Sequence, residues 1–115
     1  MKKNALLFAL LISIQITSSL YGQEIKKINT YYDNGTKKET YQVDEKGLKQ
    51  GIYTIYHTNG EKSLQIEFKN GLKNGQCTAW HENGKVKEES SFIENKKQRK
   101  YVFYDELGNV LEQGK

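Results

Sequence analysis

Three kinds of side chain in this 115-residue sequence could carry chemistry: one thiol, two imidazoles and a recurring carboxylate. Cys77 stands four residues before His81, and residues an even number apart on a strand share a face, so a thiol beside a base is one reading. No third group is placed to orient the histidine. Tyr53 and Tyr101 fill the same slot 24 residues to either side, which makes Cys77 a small packed hydrophobe. His57 and His81 also recur in phase, but on a sheet they lie two strands apart, about 9.6 Å. Ligands of one zinc must come within about 2.0 Å of the metal, so no metal pair is assigned. Glu39, Glu88 and Glu112 recur likewise. Acid and base carboxylates of glycosidases stand about 5 to 9.5 Å apart, yet a one-layer sheet implies no pocket, and pairing with lysines is the better reading. Gly47, Gly51, Gly71 and Gly75 form no phosphate loop, since no helix follows them. The sequence therefore reads as a non-enzyme with no catalytic, cofactor or metal residues.

Composition sets what must position such groups. Eight Tyr, four Phe and one Trp are too many for a disordered tail, ten Gly and no Pro suit β-structure with tight turns, and the length allows one domain. A lone cysteine makes no internal disulfide. Met1-Lys2-Lys3, the apolar run Ala5 to Ile14 and the small polar residues from Thr17 to Gly22 have the pattern of a signal peptide over 1–22, helical in its apolar run. That run is shorter than the ~20 residues a membrane span needs. Residues 23–115 form the expected domain, exported to the periplasm or the medium. Without Lys2 and Lys3, 16 basic residues face 14 acidic ones, a net charge of +2. The basic clusters at Lys26-Lys27, Lys37-Lys38 and Lys96 to Lys100 are interrupted by carboxylates and read as solvated turn charges, so nucleic acid is not an expected partner.

The domain is one motif written about three and a half times. Asn34-Gly35, Asn59-Gly60, Asn83-Gly84 and Leu107-Gly108 place glycines 25, 24 and 24 residues apart. An aromatic stands four residues before each: Tyr31, Tyr56, Trp80 and Tyr104. Ile28, Tyr53, Cys77 and Tyr101 stand seven before, and Val43, Phe68 and Phe92 eight after. Asn-Gly between alternating runs predicts β-hairpins with type I′ turns. With Asn59-Gly60 as the two turn residues, Thr58 pairs with Glu61, Tyr56 with Ser63, Ile55 with Leu64 and Tyr53 with Ile66. One face then carries Tyr53, Ile55, Leu64, Ile66 and Phe68, the other Thr54, Tyr56, Ser63, Gln65 and Glu67. The predicted fold is all-β, an elongated single-layer antiparallel sheet of seven or eight strands preceded by the leader helix. Glu39, Glu88 and Glu112 fall on the apolar face, which requires either a bulge or a face partly open to water. A second glycine pair, Gly47 with Gly51 and Gly71 with Gly75, has its third copy replaced by Asn95 and Arg99.

Segments such as Gly51 to Gly60 and Gly75 to Glu89, with their glycine, aromatic, Asn-Gly and basic-acidic order, resemble the bacterial variants of the MORN repeat over roughly Ile28 to Lys115. The resemblance implies an elongated hairpin scaffold without catalysis that binds protein or lipid. Many such chains carry a YwqK-type antitoxin label, which implies a toxin partner. Tyr31, Tyr56, Trp80 and Tyr104 are the candidate partner-binding residues, since Tyr and Trp anchor interfaces. The alternatives are cross-strand packing of those rings, an antitoxin or immunity role, and association with an envelope lipid surface.

Overall fold

The computed structural model describes residues 12–20 and 23–115. Ten strands follow in chain order: β1 (Ile12–Leu20), β2 (Gln23–Tyr31), β3 (Lys37–Val43), β4 (Gly51–Tyr56), β5 (Lys62–Lys69), β6 (Leu72–Trp80), β7 (Val86–Ile93), β8 (Lys96–Lys97), β9 (Tyr101–Tyr104) and β10 (Val110–Gly114). All pair antiparallel with their chain neighbours in one open sheet, except that β7 pairs with both the short β8 and β9. The molecule measures 47 × 38 × 21 Å. Only Ile25, Ile66 and Cys77 are buried apolar residues among those described, so a single layer, wetted on both sides, stands in place of an enclosed core.

The expected register holds in the body of the hairpins: Tyr53 faces Ile66 and Ile55 faces Leu64. It fails at their mouths, where Tyr56 faces Lys62 rather than Ser63. The same one-residue shift follows Thr30, Ile55 and Ala79, and a matching one separates Val110 from Glu112. Its cause is the turn. Gly60 N donates to His57 O at 3.0 Å and His57 N to Glu61 O at 2.7 Å, which closes a three-residue loop of Thr58, Asn59 and Gly60. Only the glycine, at φ +91°, is left-handed there. This is a turn followed by a glycine bulge, and the second bulge at the hairpin mouth absorbs the odd residue. The type I′ signature, positive φ at both central residues, lies instead at Asn70-Gly71 (52° and 80°) and Glu94-Asn95 (46° and 71°). Asn95 thus keeps the backbone shape of the glycine it replaces. The extra residue of the first unit sits in the Asp44 to Leu48 turn, whose loop is one residue longer.

Of the apolar run expected as the leader helix, Ala5 to Ile14, all but the last three residues lie outside the described ones, and those three, Ile12 to Ile14, are strand and not helix. The distal part of the leader, Ile12–Leu20, is β1, and it pairs with β2 in the same register that β5 uses on β6: Ile12 faces Thr30 and Ile14 faces Ile28, as Leu64 faces Ala79 and Ile66 faces Cys77. The alternation of Ile12 and Ile14 with Ser13 suits that edge.

Candidate binding face

The ring stripe stands on the face that also carries Asn29, Thr40, Thr54, Gln65 and Glu89. Tyr31, Tyr56, Trp80 and Tyr104 each follow a bulge, one per hairpin, so consecutive rings are two strands, about 9.6 Å, apart. All four are half-buried. Tyr104 donates its hydroxyl to Glu89 Oε1 at 2.8 Å, and that bond raises the phenol above its ordinary value. Tyr31 OH lies 3.5 Å from Ser13 Oγ, and the Lys62 ammonium stands 5.7 Å from the centre of the Trp80 ring. The rings therefore share one row without touching one another, each keeping part of its surface in water. Beside them Asn29 Oδ1 and Thr40 Oγ1 are buried without a hydrogen-bond partner among the described residues, a place that suits an ordered water.

What holds the row at constant pitch is a set of side chains that sequence reasoning did not assign. Each turn asparagine accepts from the backbone of its own loop through Oδ1, at 2.9 Å from Thr36, Glu61 and Lys85 N. Its Nδ2 reaches forward to a carbonyl of the next unit: Asn34 to Thr58 at 3.3 Å, Asn59 to Glu82 at 3.2 Å and Asn83 to Glu106 at 2.9 Å. A second ladder runs beside it. Tyr32 OH donates to Tyr56 O at 2.6 Å, His57 Nε2 to Trp80 O at 2.9 Å and His81 Nε2 to Tyr104 O at 3.0 Å. A carbonyl only accepts, so Nε2 carries the proton in both imidazoles. The in-phase recurrence of His57 and His81 thus marks a structural bond. Among the described residues, no group of three or more His, Cys, Asp or Glu could hold a metal.

The opposite face resolves the puzzle of the carboxylates. Glu39, Glu88 and Glu112 do stand on it, opposite Ile55, Ala79 and Phe103. Each is satisfied there: Glu39 by Thr30 Oγ1 at 2.8 Å and the Tyr53 hydroxyl, Glu88 by Ser90 Oγ and Lys97 Nζ at 2.8 Å, Glu112 by Tyr101 OH at 2.7 Å. Cys77 is 5% exposed, and burial raises its thiol above the ordinary value despite a bond with Ser90, so it is a poor nucleophile. On the same face Tyr41, Tyr53 and Phe68 form a chain of ring contacts, with centroids 5.2 and 5.7 Å apart. The Lys49 ammonium lies 5.2 to 5.5 Å from all three centroids. Lys73 repeats this over Phe92 at 5.1 Å, and Lys97 over Tyr101 and Phe103 at 5.3 and 4.8 Å. Lysines at 49, 73 and 97 are in phase with the glycines. The spacing was there to be read, but charge beside a turn looks solvated until its register is known.

An open sheet of hairpins, each bonded to its neighbours and none enclosing a core, defines a repeat scaffold. Two of its units, residues 49–70 and 73–94, match the family model of the MORN repeat variant, and each matched unit begins at one of these lysines. No curated protein and no solved structure matches the chain.

Proposed function

We propose that the protein is an exported, non-enzymatic scaffold that binds another protein across the row of Tyr31, Tyr56, Trp80 and Tyr104. The observation that carries this reading is the row itself: four large rings on one face, half-exposed, held at a fixed pitch by bonds that run from unit to unit. Tyr and Trp supply large contact area at little entropic cost, and a partner lying across the strands would meet one ring every second strand. Export rests on the leader pattern of residues 1–22, and the partner's identity awaits capture from envelope extract with the chain beginning near Gln23.

Trp80 decides between binding and packing. On the binding reading, Trp80→Ala lowers partner affinity by about 2 kcal/mol or more and leaves the melting curve nearly unchanged. If the ring serves only to hold the sheet, the same truncation destabilises the fold by about 3 kcal/mol or more with no separate effect on affinity. Melting and partner binding of this one variant, measured together, distinguish the two, and a strongly destabilised protein would defeat the reading for this face.

A further inference from the structure

The second-turn edge of the sheet, formed by residues 44–50, 69–74 and 93–100, carries eight basic residues against Asp44, Glu45 and Glu94. The opposite edge, at the Asn-Gly turns, carries as many carboxylates as cations. The excess positive charge of the domain is therefore gathered on one side. Three of those cations form a row: Lys49, Lys73 and Lys97 stand opposite Val43, Phe68 and Phe92, the same register position of consecutive units, with their ammoniums over rings. Their pitch is two strands, about 9.6 Å.

We infer that this row is a docking surface for an extended acidic polypeptide with a carboxylate at every third residue. The partner's spacing follows from geometry, because a polyproline II chain advances about 9.3 Å in three residues, close to the pitch of the lysines. The ammoniums of Lys49, Lys73 and Lys97 lie 5.2, 5.1 and 4.8 Å from the ring centres of Tyr53, Phe92 and Phe103, which places each charge on an aromatic surface and suits an extended segment that lays apolar side chains on the rings between charges. Charge complementarity selects an acidic partner over a basic one. Leu48, the apolar residue beside Lys49, is 38% exposed and extends the apolar surface on which such a segment can rest, and binding to an anionic lipid surface is the competing outcome of the test. Glu88 on this face is held by Lys97, and Glu39 and Glu112 by hydroxyls, so only one of the three ammoniums has an ion-pair partner among the described residues. The inference rests on the chain being a protein-binding scaffold but not on the ring row of the other face.

Fluorescence anisotropy with the full chain tests it, using a labelled peptide of repeated Glu-Pro-Ser and an isomer of equal composition with its glutamates contiguous. The spaced peptide is expected to bind about threefold or more tighter than the isomer, and to weaken as salt rises from about 20 to about 150 mM. Lys49→Met, Lys73→Met and Lys97→Met together keep an unbranched side chain at each position without its charge and should lower its affinity about tenfold. Lys37→Met with Lys85→Met, on the opposite edge, should change it less than twofold. If the first set does not fold, as judged by its melting curve, Lys46→Met, Lys69→Met and Lys96→Met read the same edge without touching the rings. Equal binding of the two peptides, equal losses from both edges, or binding to anionic vesicles without binding to peptide would each overturn the proposal. None of these results bears on Trp80, so the two readings fail separately.

Discussion

Gly60 shows how much of this fold depends on single backbone positions. It sits at φ +91° with nothing within 4 Å of where a Cβ would lie, so a substitution there meets strain and no collision. Gly60→Val is expected to cost about 1 to 3 kcal/mol in a denaturant titration. Asn83→Ala removes one bond within its loop and one to the next unit, and should cost about 1 to 2 kcal/mol by the same measurement. Tyr53 makes a prediction in pH. Burial first, and then its bond to Glu39, hold its hydroxyl well above the ordinary phenol value. Below pH about 10 both folded and unfolded chains keep that proton and the stabilisation is complete. Above it the unfolded chain ionises first, so stability falls as pH rises. Urea midpoints should be level up to pH about 9 and drop as pH rises past about 10, and Tyr53→Phe should flatten the drop; an unchanged slope in that variant would show that this hydroxyl contributes nothing.

At the scale of elements, periodicity was enough to find the hairpins. Alternation over Tyr53 to Phe68 fixed which residue faces which because a slip of one would turn every side chain over. The turn type was not legible, since Asn-Gly serves a two-residue loop and a three-residue loop with a glycine bulge equally well. The bulge that reconciles them leaves no mark in composition. Nor were the forward-reaching bonds of Asn59 and His57 readable, because their acceptors are main-chain carbonyls, which any residue supplies. The carboxylates were placed on the correct face, but their hydroxyl and ammonium partners needed the register of three strands at once. Gly75 carries the prediction of this scale. It is at φ +133°, and a Cβ there would lie 2.8 to 2.9 Å from Glu67 side-chain atoms on β5. Gly75→Ala should therefore destabilise more than Gly60→Ala, where strain acts alone, and hydrogen exchange should show the loss first along β5 and β6.

For the whole molecule, nearest-neighbour bonding means that stability accumulates unit by unit. Removal of residues 1–22 takes β1 from the edge of β2 and leaves the bonds between later units untouched. The processed chain is thus expected to begin near Gln23, to be found outside the cytoplasm by mass spectrometry of envelope and medium fractions, and to give a circular dichroism spectrum dominated by β-structure. An intact Met1 on cytosolic protein would defeat the export reading, and a helical spectrum of the processed chain would defeat the architecture.

The ladders of Asn and of Tyr or His also give the array a polarity. At each junction of these two ladders the donor is a side chain of the earlier unit and the acceptor is main chain of the later one. Along this edge, receiving a neighbour is thus a property of any sequence, while offering a bond to one is written in particular residues. In the fourth copy that offer is withdrawn: Leu107 replaces the asparagine, and Asp105, in the histidine's place, turns back to accept from the Leu107 and Asn109 amides of its own loop. A duplicate of residues 73–96 spliced in before Lys97 should extend the sheet in register, whereas a copy of residues 91–114 added in phase after Gly114 should hang as an unfolded tail until Leu107→Asn and Asp105→His are made. Grammar of this kind, in which a unit names its successor and the last one falls silent, makes length an editable property of the protein.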